Sequence, residues 1–378
     1  MTLIEPMRFT FDETQLAAAL ALGGIRASDR STLPSAPPPA DPQKALASAK
    51  GALADGSLSE ACAATLSVLA DPARLVSIVA NRSGENTWDE TLIAHADGEG
   101  PWVAYPGPDR FDFAMLPTVT QATVYADELL AITEGLSQPG LGATDLGVAG
   151  YAAFMALADA LHAAKLRALL ARERPAQPVW TPDEIEAVLA EGLAKEDTRW
   201  AVCAARRVAP VDLSSAKGTM ATGLAELGSA GIAARRGAAW TVTERGNARL
   251  VHFGQLLVSA AIQVALLRGR GRVTVAQTSV FRTVLGVWLA TWTGTGAGSR
   301  VQLTEVSAGT ALEFVRAMLD PEEIPDAPPL AAAAPAPAAT AAPTAAPPGA
   351  KYPKFCPSCG AATTGKKFCA SCGNRLAS

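Results

Sequence analysis

Two Cys-x-x-Cys-Gly knuckles, Cys356-Pro-Ser-Cys359-Gly360 and Cys369-Ala-Ser-Cys372-Gly373, stand near the end of a 378-residue chain, with nine residues between Cys359 and Cys369. A tight turn at each knuckle brings two thiolates together, and two such turns can aim four sulfurs at one tetrahedral ion. Glycine after each pair tolerates the positive φ that swings backbone N–H groups toward sulfur. Four thiolates in that arrangement suit a single Zn2+, and because the protein fills every position the centre would be structural rather than hydrolytic. Cys356, Cys359, Cys369 and Cys372 are therefore the predicted metal ligands of a zinc ribbon over 351–378, a segment short enough to need its metal to fold. A redox Cys-x-x-Cys is the competing reading, but it does not call for two matched knuckles, and no thioredoxin-like βαβ pattern precedes them. The ribbon carries Lys351, Lys354, Lys366, Lys367 and Arg375 with no acid, which predicts a basic surface suited to an acidic protein patch or to phosphate. Its Phe355 and Phe368 are expected to form the ribbon's own small core, which favours protein docking over base stacking.

Elsewhere reactive constellations are scarce. No Ser-His-Asp arrangement, phosphate loop or carboxylate pair stands out, so the expectation is a non-enzymatic protein without a small-molecule substrate. His95, His162 and His252 lie far apart in amphipathic stretches and read as structural residues. Cys62 and Cys203 stand alone among apolar neighbours and read as small core residues. Two isolated thiols plus a metal-spaced quartet suit a reducing cytoplasm. Thr293-Gly-Thr-Gly-Ala-Gly-Ser-Arg300 has the composition of a dinucleotide loop, yet it leads into a strand-like run and reads as a hairpin turn.

One stretch is locally basic. The whole chain has a formal charge of -4, which gives no general bias toward nucleic acid or anionic membrane. Between Arg199 and Arg272, however, eleven Lys and Arg face three Asp and Glu, with Arg206, Arg207, Arg235, Arg236, Arg268, Arg270 and Arg272 in clusters. Within it, 211–250 has the order of a winged helix: a helix over 214–227, a short hairpin with Trp240 and Val242 turned inward, and a further helix. This supplies the alternative function, a nucleic-acid-associated regulator using these arginines and the ribbon. The helix over 214–227 offers Lys217, Thr219 and Thr222 but no Arg, Asn or Gln to read base edges.

The elements that must position these residues follow from composition and periodicity. With 49% apolar and 18% charged residues the chain is core-forming, and its length allows two or three domains. The opening MTLIEPMRFTFDETQL has acids and a proline where a secretory signal needs a basic start and an unbroken apolar run. The most apolar run, Leu256 to Leu267, has about 12 residues against the ~20 of a membrane span and is predicted to be a buried core helix. Gly100-Pro-Trp-Val-Ala-Tyr105 and Gly286-Val-Trp-Leu-Ala-Thr-Trp292 match in their Gly, Trp and Ala spacing. Each is followed by a turn, an alternating strand (Arg110–Leu116 and Arg300–Val306) and a helix-periodic stretch. Thr10 and Thr181 each precede an acid-led helix. The prediction is an α+β fold made of two tandem pseudo-repeated units, each with helices and an antiparallel hairpin, the second holding the winged-helix-like segment. Their bounds are 1–133 and 177–320, joined by a connecting helical segment at 134–176 that contains a long Ala-rich helix over 150–174. The Pro-rich stretch at 31–43 is expected to be mobile. Residues 321–350 are a flexible Ala/Pro linker, reaching at most roughly 75 Å at ~3.1 Å per residue.

Residues 51–84, GALADGSLSEACAATLSVLADPARLVSIVANRSG, together with 100–130, GPWVAYPGPDRFDFAMLPTVTQATVYADELL, resemble the EspG-type chaperones of type VII secretion. In that family a Gly-rich helix-to-strand segment ending in Pro-x-Arg-x-Val leads into strands and a closing helix, within a pseudo-twofold α+β fold. The resemblance implies binding of a helical client protein pair in the cytoplasm without catalysis. The function expected is thus a cytoplasmic protein-binding adaptor, away from membranes, with the tethered zinc ribbon as a second interaction module.

Overall fold

A computed structural model describes residues 5–320, apart from 35, 86, 99, 107–110, 134–141, 174–176, 269–270 and 295–297. The chain divides into two units, Met1–Ala331 and Ala332–Ser378, and all the described elements belong to the first. The linker and the zinc ribbon with its four cysteines lie outside the described residues.

Local chemistry explains where the helices begin. After β1 (Met7–Phe11), Asp12 accepts the backbone N–H of Gln15 while the Gln15 side chain returns to the Asp12 backbone, a capping box that starts α1 (Glu13–Gly23). Then come α2 (Pro42–Leu46), the short hairpin β2 (Leu53–Ala54) and β3 (Ser57–Leu58), and α3 (Glu60–Ala70). An antiparallel meander follows, β4 (Arg74–Arg82), β5 (Asp89–His95), β6 (Trp102–Tyr105) and β7 (Phe111–Leu116), closed by α4 (Val119–Leu130). Next are β8 (Ala143–Gly147), the long α5 (Val148–Ala171), β9 (Val179–Trp180), and α6 (Pro182–Ala194), which Thr181 caps as the sequence predicts, with Glu184 completing a capping box. After them stand α7 (Ala201–Val208), α8 (Met220–Ser229), the hairpin β10 (Ala233–Arg236) and β11 (Ala239–Val242), and α9 (Glu244–Phe253). A second meander, β12 (Leu256–Arg268), β13 (Gly271–Thr283), β14 (Val287–Thr293) and β15 (Arg300–Val306), ends in α10 (Ala308–Leu319).

The two meanders join into one antiparallel sheet of ten strands among the described residues, in the order β1-β7-β6-β5-β4-β12-β13-β14-β15-β8. Mixed helix and sheet make the body α+β. The join is β4 against β12, with Arg82 opposite Val258 and Arg74 opposite Leu266. This corrects the core helix expected over Leu256–Leu267: the run is a central strand. A strand packed on both faces keeps apolar side chains at every position, so it loses the alternation that marks a strand. Val258, Ala260, Ile262 and Val264 face α4 and α10 on one side, whereas Leu256 joins the core on the other. On that second side α1 and α3 cover the first meander, and the helices around α5 cover the second.

Two buried arginines staple the halves crosswise. Arg74, on β4, donates to the carbonyl of Asp320 at the end of α10; Arg282, on β13, donates through Nε to the carbonyl of Ala131 at the end of α4, at 3.0 Å. Each satisfies a helix-terminal carbonyl that the helix cannot satisfy itself. The beginning of the stretch at 31–43 is anchored to the body. Thr32 N–H donates to the Leu69 carbonyl, Arg30 grips Asp71 at 2.7 Å, and Leu33 packs on the core around α3.

The α5–α8 crossing is close because of one glycine. A Cβ built on Gly223 would stand 2.3 Å from the Ala149 carbonyl oxygen, a backbone atom that cannot step aside. Gly223→Ala should therefore lower unfolding free energy by about 1–3 kcal/mol in urea titration; an unchanged midpoint would show that the helices re-space freely.

Candidate functional site

The basic segment resolves into residues with separate partners. Arg206 and Arg207 both bind the Glu196 carboxylate, and Arg206 also donates to the carbonyls of Leu193 and Lys195. Those bonds hold the Glu196 carboxyl below its usual range. Arg235 and Arg236 are exposed on β10, with Arg236 donating to Gln177 Oε1 at 3.1 Å. Arg249, counted in the same basic run, is buried and donates to Thr144 Oγ1. The side chains of Arg268, Arg270 and Arg272 fall outside the described residues.

The helix expected over 214–227 is shorter and starts later. A 3-10 turn spans Leu213–Ala216, and Gly218, at φ +78°, breaks the chain before α8 begins at Met220. The buried face of α8, including Gly223, Leu224 and Leu227, belongs to the core that contains α5. β10, β11 and β9 form a three-stranded sheet beside it, with Val242 buried and Trp240 partly so.

The three histidines sit in packing environments. His95 is buried and stacks on Trp102 at 4.1 Å, and His252 accepts the Trp288 indole N–H at 3.2 Å. Burial lowers all three imidazole pKa values, which favours the neutral form. Cys62 and Cys203 are buried, and burial raises both thiols, Cys62 to about 11, so neither presents a thiolate near neutral pH. Among the described residues no group of three or more His, Cys, Asp and Glu is placed to hold a metal ion. No helix among them is long and apolar enough to cross a membrane.

Sequence reasoning missed the buried carboxylate. Asp159 lies inside α5, 4% exposed, and accepts the backbone N–H groups of Ala201 at 2.7 Å and Val202 at 3.0 Å. It thereby caps α7, whose own N-cap residue, Trp200, makes no side-chain cap bond. Burial pushes its carboxyl up to about 7, against the pull of the two N–H groups. The available signal was an acid in mid-helix within Met155-Ala-Leu-Ala-Asp-Ala-Leu161, where every neighbour is apolar.

Two surface grooves are large enough to receive a partner. The wider, about 1300 Å³, runs between β1 and α4 and is lined by Met7, Arg8, Lys50, Met115, Val124 and Tyr125 among others. β1 is the end strand of the sheet, paired only with β7 among the described residues, so its outer edge lies open beside this groove. The second, about 760 Å³, lies between the C-terminal half of α5, Gln177–Pro178 and the start of α9. A smaller polar depression of about 300 Å³ holds Arg30, Arg74, His95 and Asp97.

No protein-family profile matches the chain, and no curated protein sequence does either. Among solved structures the chain is similar to the chaperone EspG5 of the Mycobacterium tuberculosis type VII secretion system, determined in complex with the PE25–PPE41 dimer. The match covers 83% of this chain and 96% of that one, at 11% sequence identity and a TM-score of 0.42, a distant likeness in fold.

Proposed function

We propose that this chain is a non-enzymatic, cytoplasmic protein-binding adaptor whose body recognises a protein client along the β1–α4 groove. The observation that carries this reading is the open outer edge of β1 beside a groove of about 1300 Å³. An end strand presents unpaired backbone donors and acceptors, and an extended client segment satisfies them by adding one more strand. Side chains lining the groove then read alternate residues of that segment: Met7, Met115 and Val124 take apolar groups, while Arg8, Lys50 and Glu128 take polar ones. The resemblance of 51–84 and 100–130 to EspG-type chaperones supports a client passed on to a secretion machinery. We read the two meanders, each closed by a helix, as copies of one ancestral unit.

Cys356, Cys359, Cys369 and Cys372 would hold one Zn2+, whose contribution is to fold the ribbon. A donor set of four thiolates fits that ion. Joined to the body through 321–350, the ribbon raises the effective concentration of a second contact on the same assembly.

The test is affinity capture from the protein's own cells with the full chain, with a chain stopped after Asp326, and with Met7→Asp/Val124→Asp. The expected result is one client retained by the first two and reduced at least ~10-fold by the double substitution. A client lost with the tail but kept by Met7→Asp/Val124→Asp would move recognition to the ribbon.

A further inference from the structure

We propose that the acidic segment 321–326 docks in the polar depression beside the end of α10, so that the Ala/Pro tether begins from a fixed point on the body. The depression, about 300 Å³, sits where β4 starts and β5 and β12 end, and it is lined by Arg30, Arg74, His95 and Asp97, with Leu266 and Leu267 forming one wall. Arg74 and His95 are buried and stand opposite each other on neighbouring strands. Arg30 is only partly committed. Its Nε and Nη2 grip Asp71 at 2.9 and 2.7 Å, whereas Nη1 reaches the Asp97 carboxylate and the Leu267 carbonyl at 3.5 and 3.4 Å, the outer limit of a hydrogen bond. Asp97 is 80% exposed on its side chain, so water competes with Arg30 for it.

Position and charge together name the occupant. Arg74 donates to the carbonyl of Asp320, the residue after α10, so the chain leaves that helix at the wall of the depression. Asp320 is extended, at φ -61° and ψ 125°, as the proline at 321 requires of the residue before it. The next six residues read Pro-Glu-Glu-Ile-Pro-Asp, three acids and no base. At no more than ~3.6 Å per residue, Glu322 and Glu323 stay within roughly 7 and 11 Å of Asp320. Basic groups outnumber acidic ones on the body's side. Arg30 and Arg74 stand against Asp71 and Asp97, and the turn from β12 to β13, just past Leu267, adds Arg268 and Arg272, which pair by register with Gly271 and Leu267. A carboxylate that reaches a buried guanidinium meets little water there, which strengthens the charge-assisted bond. A free anion would suit the same donors, but the segment's own attachment supplies it at an effective concentration on the order of millimolar.

Hydrogen exchange of the full chain, followed by mass spectrometry at the amides of Glu322, Glu323, Ile324 and Asp326, tests the contact. In low salt these amides should exchange at least ~10-fold more slowly than in an unstructured chain of the same sequence. The protection should vanish in Glu322→Lys/Glu323→Lys, and also in about 1 M salt, where charges are screened over ~3 Å. Neither glutamate lies in a helix or strand of the body, so the body's thermal transition should match the parent's and serves as the folding control. The His95 imidazole resonance reads the depression from the other side and should shift on the same double substitution. Amides that exchange at the unstructured rate in the parent overturn the proposal, as does protection that persists through both charge reversal and high salt. A His95 resonance that ignores the substitution overturns it too, and one that answers instead to inorganic phosphate at about 10 mM gives the depression to a free anion.

Discussion

One zinc ion per chain is the expected metal content, falling to none when Cys356→Ser and Cys359→Ser are combined. The effect should be the largest obtainable in this protein. Structural Zn2+ contributes roughly 10–16 kcal/mol to the folding of ribbon-sized segments near pH 7, and a segment that small has no core to replace it. Elemental analysis reads the stoichiometry. Limited proteolysis after treatment with a strong chelator should show the tail cut rapidly while the body, residues 5–320, resists. The thermal transition of the body is expected not to move, since the ribbon is predicted to fold on its own metal. Metal found at fewer than one equivalent in freshly purified protein, or cysteines that form a reversible disulfide instead, would return the knuckles to the redox reading. Acidification should release the metal as well, since protons compete for the thiolates.

Asp159 should make the body less stable as pH rises from about 4 to about 7. The sign follows from the direction of its shift. Burial raises the folded-state value from 3.8 to about 7, so over that window the folded protein holds a proton that the unfolded chain has released. Stability from this group is complete below the unfolded value and is lost as pH climbs through the folded one. A displacement of about three units corresponds to up to about 4 kcal/mol. Carboxyls at Asp71, Glu196, Asp197 and Asp212 are shifted the other way by their hydrogen bonds and basic neighbours, so they lose stability toward acid and oppose the trend in the whole protein. Asp159→Asn separates the contributions. It stays neutral and keeps one acceptor for Ala201 or Val202, so its stability relative to the parent should improve by up to about 3 kcal/mol between pH 4.5 and pH 8. Urea titrations of both proteins across that range check it. A difference that does not vary with pH would mean that Asp159 is ionised throughout or reached by water.

Local features were legible because their causes lie within a few residues. The Thr181 cap is a bond across three positions with its partner close by in the sequence; the cap expected at Thr10 instead falls within β1, and Asp12, two residues on, takes the role. The same holds for α5 with its Ala and Leu spacing, for the turn between β14 and β15, and for the apolar settings of Cys62 and Cys203. What stayed hidden depends on distant partners. Leu256 to Leu267 becomes a strand because β4 and β13 bond its two edges while helices cover both faces, and none of these neighbours is visible in the run itself. Arg249 reads as one more surface charge until Thr144, 105 positions away, receives it in the core. Asp159 is an odd acid in an apolar helix until the start of α7 arrives above it. The open β1 edge has the same origin. A strand becomes an end strand through the order in which remote segments pair and pack. Sequence therefore determined the Thr181 cap, the hairpin after β14 and the long helix α5, whose energies are local, and tertiary structure decided which apolar and charged groups the rest of the chain would cover.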